Sequence, residues 1–157
     1  MPVSAPPILI VHDRAQALAA FAAARALRRA VRIETPAELA HVLGPAWMRA
    51  FLDGCAAERL TPPGTVAFHC GDAPGLALAA LKLNLPALRF APAADAPPRV
   101  AEAIAAIAAA QETDLALGPP TGAAWRFPPP GGAPDPHALE LAAKRWLGGL
   151  PSGGDLL

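Results

Sequence analysis

The chain has 157 residues, with thirteen basic and thirteen acidic side chains and a formal net charge of zero. That is one domain's worth of sequence, and it has no basic field to hold a nucleic-acid backbone. Hydrophobic residues make up 54% and charged ones 17%, yet no apolar stretch approaches the ~20 uninterrupted residues of a membrane span.

Much of the apolar content is alanine, which buries little area per residue and lets helices approach closely. The surplus points to a homo-oligomer or to a protein partner that covers one face. Cys55 and Cys70 have neither metal-type spacing nor a disulfide framework, as expected of a reducing compartment. The start, MPVSAPPILIVHD, has no basic segment, and its apolar run stops at His12-Asp13, unlike a signal peptide. A soluble, cytoplasmic protein is expected.

Ile8 to Val11 is a wholly apolar, β-branched run, the pattern of a strand buried on both faces. Asp13-Arg14-Ala15-Gln16 is a capping box, and Ala17, Leu18, Phe21, Ala24 and Leu27 follow at helical spacing, predicting a helix over about Arg14 to Arg29. Val31 to Glu34 is a second strand. Thr35-Pro36-Ala37-Glu38 is another capping box, opening a helix that Gly44-Pro45 interrupts and that resumes from about Ala46 to Leu60. Trp47, Phe51, Leu52 and Cys55 form its core stripe.

After the Thr61-Pro62-Pro63-Gly64 turn comes the most informative stretch, Thr65 to Phe90: strand, sharp turn, short helix, strand. His69-Cys70-Gly71-Asp72 ends its first strand. Asp95 can cap a helix over about Pro97 to Gln111, and Asp114 to Leu117 is a short fifth strand. The expected fold is α/β: one domain over residues 1–117 with a mostly parallel sheet of about five strands flanked by helices. It resembles Rossmann-like or half-barrel domains in general terms.

Seven prolines and four glycines crowd the stretch from Gly118 to Pro136 around a Trp125-Arg126-Phe127 island. So few backbone donors predict an extended or disordered arm (118–134) rather than part of the sheet. An amphipathic helix then spans about 135–150, capped by Asp135 and carrying Trp146, and a frayed tail covers 151–157. Trp125, Phe127 and Trp146 are the candidate anchors for a partner or a second subunit.

Shifting the chain by 57 residues lays His12 on His69 and Arg32 on Arg89, each histidine preceding its arginine by 20 positions. Either a duplication or the ordinary rhythm of βα units gives such an echo. Parallel sheets bind ligands beyond the carboxyl ends of their strands, so that edge is where chemistry is expected.

The candidate catalytic residues are His12, His69, Asp72 and Cys70; candidate ligand-binding residues are Asp13, Glu34, Arg32, Arg89 and Gly71. A Cys-His-acid arrangement would need His12 to reach Cys70, because adjacent residues on one strand face opposite ways. A two-histidine, one-carboxylate metal site lacks the usual spacing, and neither a metal nor a cofactor is expected. The plain structural alternative makes Asp13 and Asp72 helix caps, Cys70 an inert thiol and the arginines solvated. Two functions follow. One is a binding protein that self-associates or docks through its arm, with a small polar or anionic ligand at the strand edge. The other is a lyase, hydrolase or isomerase that uses His12 or His69 as acid/base, with Asp13 or Asp72 orienting the imidazole, on a small anionic metabolite.

Overall fold

The computed structural model describes residues 5–57 and 66–150. Its elements, in chain order, are β1 (Ile8–Ile10), α1 (Arg14–Ala26), β2 (Arg32–Glu34), α2 (Ala37–Ala57), β3 (Val66–His69) and α3 (Pro74–Lys82). They continue with β4 (Ala87–Phe90), α4 (Pro98–Ala110), β5 (Asp114–Leu117), β6 (Ala124–Arg126) and α5 (Pro136–Gly148). The expected end of α2 at Leu60, the 61–64 turn and the 151–157 tail lie outside the described residues.

All neighbouring strands are parallel, in the order β5-β4-β3-β2-β1-β6. From β1 to β5 each strand is laid beside the last in one direction, without the reversal that defines a doubly wound sheet. Right-handed crossovers then carry the helices to one face. Accordingly the helices pack in the order α4-α3-α2-α1-α5, which mirrors the strands. The sheet is therefore an arc of a parallel barrel, with β5 and β6 at its two ends among the described residues.

Strand alternation divides the side chains. Leu9, Val11, Ile33, Phe68, Leu88 and Phe90 face the helices and meet Phe21, Phe51, Ile104, Phe127 and Leu147 in one core. The opposite, concave side is polar. There Arg32 on β2 reaches Asp114 on β5 at 2.6 Å, although three strand spacings on a flat sheet come to about 14 Å. The curl of the arc brings the two side chains together.

Helix α1 buries Ala17, Ala19, Ala20, Ala23 and Ala24, and this small-residue face lets α5 pack closely against it. Helix α2 bends where expected, at Gly44, whose φ of 72° suits glycine, followed by Pro45. The Asp13 capping box forms, with Asp13 accepting from the Gln16 N–H. Two other expected caps do not: α3 starts from Ala73 and α4 from Pro97, each without a side-chain cap. Pro74 and Pro98 in the first turns remove a donor that a cap would otherwise serve. The Thr35 hydroxyl accepts the His69 N–H at 3.2 Å, tying β2 to β3.

The larger correction is β6. The arm does supply a strand, because the proline-free island Ala123 to Phe127 keeps its N–H groups. The Ile8 N–H donates to the Ala123 carbonyl at 2.9 Å, and the Phe127 N–H donates to the Ile10 carbonyl at 3.0 Å. An edge strand needs partners on one side only, so the flanking prolines cost nothing. Trp125 then stacks on Trp146 of α5, with ring centroids 6.1 Å apart, and lies 4.5 Å from Phe127. The three expected anchors are engaged with one another inside this chain.

Candidate functional site

The concave floor carries a charge network that ties β2, β4 and β5 together. Glu34 is 1% exposed, and its carboxylate accepts from Arg89 Nε at 2.8 Å and from Arg89 Nη2 at 2.8 Å. Arg32 Nε joins it at 2.7 Å and Arg32 Nη2 donates to the Leu88 carbonyl at 3.1 Å. Arg89 Nη1 donates to the Gly118 carbonyl at 2.9 Å. Neither arginine is a solvated edge residue, and Glu34 does more than end its strand. Beneath them the floor is small: Ala67 and Ala87 are both buried. Three of the five residues expected to contact a ligand, Arg32, Glu34 and Arg89, thus satisfy one another and form a base under the carboxyl end of the arc.

Above that base stand the two histidines, both half-buried. His69 ends β3 in register with Arg89 on the concave side. The Gly71 N–H donates to its Nδ1 at 3.0 Å. Gly71 has a φ of 60°, and a Cβ there would lie 3.3 Å from His41 Nε2, so the turn that delivers this N–H needs glycine. Burial lowers the His69 pKa, and Arg89 lowers it further against the opposing pull of Glu34 and Glu38. The ring is held neutral with its proton on Nε2.

His12 follows β1 on the same concave side. Its N–H donates to Gln16 Oε1 at 2.8 Å, and its Nδ1 lies 3.1 Å from that oxygen. The amide orientation of Gln16 is fixed from its other end, where Nε2 donates to the Pro128 carbonyl at 2.8 Å. Because Oε1 can only accept, His12 Nδ1 carries a proton, and in the neutral ring Nε2 is a free acceptor. The hydrogen-bond network therefore assigns the two histidines opposite tautomers.

Glu38, in the first turn of α2, completes the mouth. Its pKa is lowered by a backbone hydrogen bond and by Arg126, with His12 adding to the effect. Arg126 Nη1 lies 3.1 Å from the Glu38 carboxylate. One carboxylate thus feels Arg126 of β6 and the His12 and His69 rings together.

Other expected residues are placed elsewhere. Cys70 is fully buried on the helix side, with burial pushing its thiol pKa up to about 12, so it is no nucleophile for this edge. Asp13 caps α1 and Asp72 is exposed; neither orients a histidine, a task that Gln16 and Gly71 perform. No group of three or more His, Cys, Asp or Glu among the described residues is arranged to hold a metal ion. Gln16, Glu38, Asp114 and Arg126 escaped the sequence reading. Only Gln16 and Glu38 left a local signal, and capping boxes explained both.

No family model matches the chain, and no curated protein does. Among solved structures, a protein from Coccidioides immitis provisionally assigned as a fructose-1,6-biphosphate aldolase is similar in fold, with a TM-score of 0.55 and 14% identity. The similarity covers 72% of this chain and 40% of that one. It supports the parallel α/β architecture. No helix among the described residues is long and apolar enough to cross a membrane.

Proposed function

We propose that the chain is an enzyme that performs acid–base chemistry on a small anionic metabolite at the carboxyl end of the arc. The observation that carries this reading is the opposed pair of tautomers. His12 Nε2, with a free lone pair, is the general base. His69 Nε2–H is the electrophile: its lowered pKa keeps the ring neutral, so the N–H donates a hydrogen bond to the substrate atom on which charge develops. A reaction that removes a proton from one substrate atom while charge develops on another uses such a pair, as lyases, hydrolases and isomerases do. The aldolase assignment of the structural neighbour is compatible with this class.

Arg126 supplies the counter-charge. Its pair with Glu38 is exposed on both sides, and such pairs contribute only about 0–1 kcal/mol, so a substrate carboxylate or phosphate can displace Glu38. Arg32 and Arg89 are already saturated and serve as scaffold. Docking through the arm has no support from the geometry, because Phe127 is fully buried and Trp125 packs on Trp146.

The test is a thermal-shift screen of wild type beside His12→Ala/His69→Ala, with phosphorylated and carboxylated metabolites. A substrate at ~100-fold excess over Kd stabilises by about 2.7 kcal/mol, on the order of 5–10 °C for a chain of this length. A compound that shifts wild type and not the double variant, and that wild type then turns over, supports the reading. No shift with any anion overturns it.

A further inference from the structure

A cavity lies on the helix side of β6, apart from the concave mouth. It has a volume of about 360 Å³ and is bounded by the start of α1, the 128–135 loop and the first turns of α5. Its apolar wall is Trp125, Phe127, Leu139 and a run of prolines; its polar groups are Asp13, Gln16 and Asp135. The volume is that of a site for a small organic molecule, within the roughly 300–1,000 Å³ of ligand pockets.

We propose that this cavity binds a small organic ammonium ion with an aromatic or aliphatic body. The charge balance of the lining is the reason. Two carboxylates face it, and the residues lining it include no lysine, arginine or histidine. Each aspartate uses Oδ1 as a helix cap, Asp13 towards the Gln16 N–H at 2.8 Å and Asp135 towards the His137 N–H at 3.0 Å. Capping fixes where both carboxylates stand while leaving their net charge to attract a cation. The indole of Trp125 adds a face that favours a cation over a neutral group.

The cavity is also built to keep its shape. Pro128, Pro129, Pro130 and Pro134 restrict the loop, and the Pro128 carbonyl is held by buried Gln16. A preformed wall leaves little ordering to be done on binding. Through Gln16 the loop is one hydrogen bond from His12, but the cavity shares no lining residue with His12, His69, Glu38 or Arg126. The proposal therefore stands apart from the acid–base reading.

The experiment titrates the full chain with phenethylamine, 2-phenylethanol and phenylacetate, followed by tryptophan fluorescence and calorimetry. The amine is expected to bind at least about tenfold more tightly than the alcohol, with phenylacetate weaker still. In Asp13→Asn/Asp135→Asn that preference should vanish, since asparagine caps helices as well as aspartate but carries no charge. If the double variant fails to fold, Asp135→Asn alone and a salt titration of wild type take its place. Added salt should then weaken the amine and leave the alcohol unchanged. Equal affinity for amine and alcohol overturns the proposal, as does no binding by about 10 mM or an amine preference that survives loss of the charge. In His12→Ala/His69→Ala the amine should still bind.

Discussion

Arg89 and Glu34 lie 55 positions apart in sequence and meet on the concave floor through three hydrogen bonds of 2.8 to 3.0 Å. Arg32 shares the same carboxylate. The two arginines that the 57-residue shift superimposes therefore converge on one acid, whatever the origin of the echo.

Removing that acid strands two guanidinium groups, one of them buried. Breaking a buried ion pair from one side costs about 3–5 kcal/mol, so Glu34→Ala should lower the unfolding free energy by that much and move the urea midpoint down by that amount divided by the m-value. Replacing both partners, in Glu34→Leu/Arg89→Met, should cost clearly less than the sum of the single changes. Additive costs would mean that the pair is not coupled.

The tautomer assignment can be read directly. In ¹⁵N spectra of the imidazoles, His12 should carry its proton on Nδ1 and His69 on Nε2 when both are neutral. Gln16→Leu removes the acceptor of His12 and the donor to Pro128, and the His12 ring should then shift towards a mixture while His69 keeps its form. The same tautomer in both rings would end the acid–base assignment.

Much of this fold was legible in the sequence. Short runs bounded by turn residues located β1 to β4, the Asp13 box started α1, and Gly44-Pro45 marked the bend in α2, because each is a local preference of the backbone. The site was only half legible. His12 and His69 end strands, and parallel sheets put strand ends on one edge. Their orienting partners were hidden: Gln16 and Glu38 stand in sequence as capping residues, and Arg126 lay in a stretch whose prolines masked a strand. Curvature was legible only as one of two alternatives, Rossmann-like or half-barrel, since the Arg32–Asp114 contact that settles it depends on how five elements pack between those two residues.

Acid should weaken the fold through His69. Its folded pKa lies below the ordinary 6.5, mainly because of burial. The unfolded chain therefore binds the proton first as the pH drops, and stability falls as pH goes from 6.5 down through the folded value. Glu38, lowered from 4.5, contributes above that value and loses its contribution only below it. Urea unfolding between pH 5 and pH 7.5 should thus show a slope that His69→Gln reduces. An unchanged slope would place the titration elsewhere.

Gly71→Ala tests the turn that fixes His69. A φ of 60° is strained for any residue with a Cβ, and that Cβ would press on His41 Nε2 at 3.3 Å. The expected cost is about 1–2 kcal/mol, because left-handed backbone disfavours alanine and His41 is exposed enough to yield. The informative readout is again the ¹⁵N spectrum: displacing the Gly71 N–H should release the His69 tautomer. A destabilised variant with an unaltered His69 signal would show that the turn is structural only.

Phe127 and Arg126 are neighbours on β6, yet they should behave oppositely. Phe127 is fully buried in the core between sheet and helices, and truncating such a ring costs about 3–5 kcal/mol. Arg126 is 47% exposed and pairs with a carboxylate that is 68% exposed, so Arg126→Ala should change stability by no more than about 1 kcal/mol. If β6 belongs to the sheet, Phe127→Ala unfolds the whole domain in one lowered transition. If the arm is instead only loosely laid on the surface, Phe127→Ala will be as mild as Arg126→Ala, and a protease will cut the 119–134 segment in wild type as readily as in the variant. Chemical denaturation of the two variants side by side decides between these, and it also checks the wall of the cavity that Trp125 and Phe127 form.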